Sequence, residues 1–280
     1  MKPTVSIITI SYNAEQVIEE TICSVLSQTY TDYEYIFIDG LSKDGTVDII
    51  RSYLDRFAEK GIACHLVSEP DKGIYDAMNK GIDRANGQWV IMMNAGDRFL
   101  DGQVLSDLFS QKDYSADILY GDTVYSDVCR GTSYYKITPA QPLETIKKGI
   151  PFCHQSVFVR NKIIKKYRFD TAYRLVADFD MFLRAYMDGV QFHHIQRLIA
   201  LYDCSGITMQ NPKKAAEESA RVRARAGTET PTSSKNSAVL ISKTLLRSFL
   251  KNYFPGILFS PKRGWHTSVP RNESWASSNE

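Results

Sequence analysis

The sequence predicts an α/β fold with a mostly parallel central sheet flanked by helices, and three observations predict it. Residues 1–97 alternate strand-like and helix-like segments, the pattern of right-handed crossovers between parallel strands. Trp89–Met93 is a continuous apolar run, as expected of a strand covered by helices on both faces. Each early strand then stops in polar or turn residues: Ser11-Tyr12-Asn13, Asp39-Gly40, Ser68-Glu69-Pro70-Asp71 and Asn94-Ala95-Gly96-Asp97. Those four loops share one sheet edge, where open α/β sheets bind ligands, so Asp97 is expected at the floor of a crevice.

In chain order, Val5–Ile10 reads as the first strand, Glu15–Ser27 as a helix and Tyr35–Asp39 as a strand. Thr46–Glu59 is helical, Ile62–Val67 extended, Ile74–Ala85 helical and Trp89–Met93 extended. Beyond Gly102 the pattern is mixed, with strands at Ile118–Tyr125, Ser156–Arg160 and Arg197–Tyr202 and a helix at Phe179–Met187. Thr228–Ser237 is rich in Thr, Ser and Pro and reads as a linker. In Ala238–Phe254, Lys243, Arg247 and Lys251 recur on one helical face, with Leu245, Leu246, Phe249, Leu250 and Tyr253 on the other. Pro255-Gly256 stops that helix.

The totals exclude some classes. At 280 residues, 43% hydrophobic and net charge +2, the chain is an ordinary globular protein able to bury a large core. Five widely spaced cysteines with no CxxC pair point to reduced thiols in a cytosolic compartment and away from structural zinc. No apolar run approaches the ~18–20 residues that span a bilayer, and Val5–Ile10 is too short for a signal-peptide core. From Thr228 onward seven basic residues stand against three acidic ones, which suggests an acidic surface as partner. The body lacks a basic stripe interleaved with aromatics, so no nucleic-acid partner is expected.

The loops carry the chemistry. The first has neither G-x-G-x-x-G nor G-x-x-x-x-G-K-[ST], which removes Rossmann dinucleotide binding and the P-loop NTPases. It offers Ser11, Tyr12 and Asn13 instead, suited to cradling a nucleobase; a plain turn with Asn13 as helix cap fits equally. Asp39 ends a buried strand, where a carboxylate can accept from a base N–H or a ribose hydroxyl. Ser42 and Asp44 read as caps of the next helix. Asp76, Asn79 and Lys80 share one helix face, as a solvated face also would.

Together, the SIITISYN opening, the IDGLSKDGT loop, the EPDKGIYDAMNKG segment and the GQWVIMMNAGD strand end resemble the bacterial family 2 glycosyltransferases of the GT-A fold. The likeness is to the branch that builds exopolysaccharides, O-antigens and capsules, including colanic acid fucosyltransferase-like enzymes. It implies a nucleotide-diphospho-sugar donor, UDP-linked by default with GDP open, and a hydroxyl acceptor on a polyprenyl-diphosphate-linked glycan. It also implies a divalent cation, Mg²⁺ or Mn²⁺, at the strand end. Asn94 and Gly96 stand where acids are common in that motif, leaving Asp97 as the metal ligand. By the same resemblance Ser11, Tyr12, Asn13 and Asp39 hold the nucleotide. Asp71, Lys72, Asp76, Asn79, Asn94, Ala95 and Gly96 hold the diphosphate and sugar.

The family's E-D-x-D element appears as Ala177-Asp178-Phe179-Asp180, its first acid replaced. An inverting transfer needs one base opposite the leaving group, and Asp178 is expected to be it. Asp180 is expected to cap the helix or pair with Arg184. A plain helix cap is the alternative for Asp178. His154 and Gln155 resemble an acceptor-side element, while Cys153 has no partner base. The resemblance divides the chain into a nucleotide-sugar half (1–101) and an acceptor half of the same catalytic domain (102–227). A linker (228–237), an amphipathic helix (238–260) and a disordered tail (261–280) follow. The helix is expected either to lie on the inner face of the cytoplasmic membrane, making the protein cytoplasmic and peripheral, or to pack on protein, including a second subunit. The thinned acidic motifs leave a nucleotide-sugar-binding subunit without catalysis as the rival reading. A nucleotidyltransferase is disfavoured, since the first loop lacks glycines and basic residues.

Overall fold

A computed structural model describes residues 2–206, 210–228, 251 and 258–271. The first half runs β1 (Val5–Ser11), α1 (Ile18–Leu26), β2 (Tyr33–Asp39), α2 (Thr46–Glu59), β3 (Ala63–Ser68), α3 (Ile74–Arg84) and β4 (Trp89–Met92). After it come β5 (Arg98–Phe99), α4 (Val104–Phe109), β6 (Ile118–Cys129), β7 (Thr132–Thr138), β8 (Val157–Arg160), α5 (Asn161–Tyr167), α6 (Ala177–Met187) and β9 (Phe192–Asp203). The last helix among the described residues is α7 (Pro212–Arg225).

The sheet order is β3-β2-β1-β4-β8-β6-β9-β5, with β7 paired to β6. The first four strands are parallel, as expected. Beyond β4 the sheet is mixed: β8 runs antiparallel to β4 and β6, while β6 and β9 are parallel. Successive side chains of β1 enter opposite cores, Ile8 and Ile10 on one face and Val5 and Ile7 on the other. This double burial is why the strand carries no polar face. Helix α3 lies close on the sheet because position 81 is glycine; a Cβ there would collide with Ile8.

Helix α1 starts later than its apolar pattern suggests. The Glu15 carboxylate, expected in its first turn, accepts the Gly45 N–H at 2.7 Å and ties two loops together. The β6–β7 hairpin closes through Arg130 and Gly131, both at positive φ (50° and 76°), as a two-residue hairpin turn requires.

The linker and most of the amphipathic helix lie outside the described residues. Lys251, assigned to the basic face of that helix, pairs with Asp127 at 2.5 Å. Residues 261–271, expected to be disordered, instead fold against the hairpin. Leu258, Phe259 and Trp265 are buried with Cys129, Phe259 stacks on Tyr134 at 4.4 Å, and His266 exchanges backbone hydrogen bonds with Tyr135. A tryptophan and a phenylalanine meeting an apolar sheet surface supply the burial that a polar tail lacks. No helix among the described residues is long and apolar enough to cross a membrane.

Candidate active site at the carboxyl edge of the parallel strands

A cleft of about 1240 Å³ opens where the loops after β1, β3 and β4 meet segments of the second half. Of the residues predicted for function, Ser11, Tyr12, Asp71, Asn94, Ala95, Asp97, His154, Gln155 and Asp178 line it. Chain segments far apart in sequence thus converge on one cavity. Tyr12 is 62% exposed, an unusual state for a large ring and one that leaves its face open to a planar ligand. Asp71 accepts the Gly73 N–H at 2.8 Å, and its carboxylate lies against Gly40, where an added Cβ would displace it.

The other predicted residues are not among those lining the cleft, and their contacts lie within the fold. Asp39 is completely buried, and its two oxygens accept from the Ser11, Ser42 and Ser68 hydroxyls and the Ser42 N–H. It ties together the loops that follow β1, β2 and β3. Asn13, in the left-handed region at φ 47°, accepts from Lys43 N–H and donates its own N–H to Ser42. It is neither a helix cap nor a cleft residue. Asp76 accepts the Lys72 N–H and pairs with Lys80, so both Asp76 and Lys72 shape the turn into α3. Asn79 bridges to the Phe169 backbone through both its amide groups. Gly96 turns the strand end at φ 98° and gives its N–H to Thr21.

Asp97 sits in a strongly perturbed environment. It is 5% exposed, and burial pushes its carboxyl up from 3.8 to about 8. The Asp203 charge adds to that rise, while the Asp203 N–H at 3.0 Å and the Gln155 side chain oppose it. Asp203, at the carboxyl end of β9, also lines the cleft and was missed by sequence reasoning. Its signal was the one that found Asp97, an acid ending an apolar strand. Asn94 Oδ1 is buried without a hydrogen-bond partner among the described residues. Asp97, Asp203 and Asn94 line one cleft and carry hard oxygen donors of the kind a cation shared with phosphate takes, with Asp203 also accepting from the Ser205 N–H at 2.8 Å and the Ser205 hydroxyl at 2.6 Å. No group of three metal-ligating side chains occurs among the described residues, so the protein alone does not complete such a site.

On the opposite wall Asp178 stands in the first turn of α6 and accepts from Tyr75 Oη at 3.1 Å. Asp180 is 2% exposed and held by Arg184 Nε at 2.7 Å, the expected i to i+4 pair. His154 lies between Phe169 and Phe182. Burial pulls its pKa below 6.5, against the nearby Asp178 charge, so the ring is neutral at pH 7. Burial pushes the Cys153 thiol far up and leaves it inert as a nucleophile. Lys147, Lys148 and Arg223 also line the cleft and add a basic portion to its wall.

A family model described as Glycosyl transferase family 2 matches residues 6–188. A PGL/p-HBAD biosynthesis glycosyltransferase of Mycobacterium bovis (strain BCG / Pasteur 1173P2) is 29% identical over 185 residues, covering 66% of this chain and 70% of the relative. Among solved structures, S. aureus TarS 1-349 in complex with UDP-GlcNAc superposes with a TM-score of 0.62 at 18% identity, covering 89% of this chain and 73% of that one. The mannosyltransferase PcManGT from Pyrobaculum calidifontis, in complex with GDP-Man and Mn²⁺, gives a TM-score of 0.61 at 17% identity, covering 88% and 70%. At such identities the two structures speak for the GT-A-like fold alone.

Proposed function

The chain belongs to glycosyl transferase family 2, and from that premise we propose that it moves a sugar from a nucleotide-diphosphate donor to an acceptor hydroxyl with inversion. One observation carries the reading: Asp97, from the nucleotide half, and Asp178, from the acceptor half, line the same cleft. The exposed Tyr12 ring offers a stacking face for the base, and Ser11 and Asp71 border the donor wall. Asp97, with Asp203 and Asn94 Oδ1, would hold a divalent cation together with the donor diphosphate. When bound, that cation supplies charge neutralisation to the leaving group.

Asp178 takes the acceptor hydroxyl proton as the acceptor oxygen bonds to the anomeric carbon. The bond from that carbon to the diphosphate oxygen breaks on the opposite face, and the electron pair leaves with the nucleoside diphosphate. His154, neutral, orients the acceptor. A UDP-sugar is the favoured donor because the like-folded TarS is in complex with UDP-GlcNAc; PcManGT, in complex with GDP-Man, makes GDP-sugars the comparison. The basic portion of the cleft wall suits an acceptor bearing phosphate, such as a lipid-linked glycan presented at a membrane surface in polysaccharide biosynthesis.

The test is transfer from UDP- and GDP-sugars to a diphosphate-linked acceptor. Asp97→Ala and Asp178→Ala are each expected to slow transfer by about 10²–10⁴-fold. Retention of near wild-type rates by both overturns the assignment.

A further inference from the structure

Tyr75 is buried, yet its hydroxyl reaches out of its own half of the molecule. It sits in the first turn of α3, directly after the Asp71–Gly73 loop on the donor wall. Its ring is packed in the core, 5.4 Å from Phe169. The hydroxyl donates to Asp178 Oδ1 at 3.1 Å, across 103 residues of sequence. Asp178 Oδ2 takes no hydrogen bond among the described residues. One carboxylate oxygen is therefore tethered and the other is left for an acceptor. Burial, and then the Asp178 charge, push the phenol well above 10, so the group stays an O–H donor throughout the working range. On the other side His154 is held by two aromatic rings and kept neutral, so it does not draw the carboxylate away as a cation would.

We propose that Tyr75 is a positioning residue that fixes the rotamer of Asp178 from the donor-side helix, so the element carrying the donor loop also aims the base. This rests on the reading of Asp178 as the base. A carboxylate free to rotate spends little time aligned on the acceptor hydroxyl, whereas one anchored through a buried ring is held near its attack geometry. A buried tyrosine merely satisfying its hydroxyl would leave turnover unchanged when the hydroxyl is removed.

The experiment is steady-state transfer by Tyr75→Phe, Asp178→Asn and the double variant, with rates normalised to donor-binding capacity so that misfolded protein is not counted. Phenylalanine keeps the packed ring. The expected result is a fall in kcat of about tenfold with KM for donor and acceptor within about twofold. Tyr75→Phe should add no further loss in the Asp178→Asn background, because its effect passes through that carboxylate. A kcat within twofold of wild type, or losses that multiply in the double variant, overturns the proposal. Near wild-type transfer by Asp178→Asn overturns the base assignment itself, which separates the two failures.

Discussion

A buried acid at a strand end is an unstable place for a charge, and Asp97 shows what that placement does. Its folded-state pKa near 8 lies above its ordinary 3.8. The folded state therefore holds the proton more tightly than the unfolded chain, and stability is lost as pH rises from about 4 to about 8. Asp97→Asn removes that penalty. Thermal melts should show little difference between variant and wild type near pH 4 and a higher Tm for the variant at pH 8, by several degrees for a few kcal/mol. A difference independent of pH would show that ionisation is not its cause. Asp39 carries the same sequence signal, an acid closing an apolar strand, in a different setting. Three serine hydroxyls and a backbone N–H enclose it, and they come from loops that only folding brings together. The residue types at the site were thus legible, whereas the direction each carboxylate faces was not.

Helix α7 anchors the segment that leads to the proposed base. Glu218 is 2% exposed and accepts from the Arg174 and Leu175 N–H groups, while Arg225 pairs with Asp170 at 2.8 Å. Glu218→Ala should leave those donors unpaired and destabilise the protein by about 1–3 kcal/mol in urea titrations, with a parallel fall in kcat. Loss of stability with kcat intact would separate α7 from catalysis. The sequence pattern did not reveal this helix, because its attachment is polar: only Ala216, Glu218 and Val222 are buried. Helix α2 was readable from Thr46 to Glu59, where Ile50, Tyr53 and Phe57 recur at helical spacing into the core. The two-residue β5 and the strand β7 escaped notice for related reasons, one too short to show a period and the other half exposed, whereas most of β6 was readable at Ile118–Tyr125.

Across the whole molecule, the parallel half carries the proposed donor wall, the mixed half carries the proposed base Asp178, and residues near the end of the described chain pack on the hairpin. Trp265 is 5% exposed and meets Phe259 edge-on at 5.0 Å, so Trp265→Ala should cost about 3–5 kcal/mol, read as a lower urea midpoint. An unchanged midpoint would show that this contact does not hold the segment. The parallel half followed from the alternation of residues 1–97, but the antiparallel turn of the sheet beyond β4 arises from long-range pairing that has no local period. In the proposed function this cleft binds a nucleotide-diphosphate sugar through a cation held at Asp97. Calorimetric titration of UDP- and GDP-sugars, with and without Mn²⁺, tests it most directly. One Mn²⁺-dependent site is expected, lost in Asp97→Asn and retained in Asp178→Asn; binding of neither donor, or binding indifferent to Asp97, would contradict this assignment.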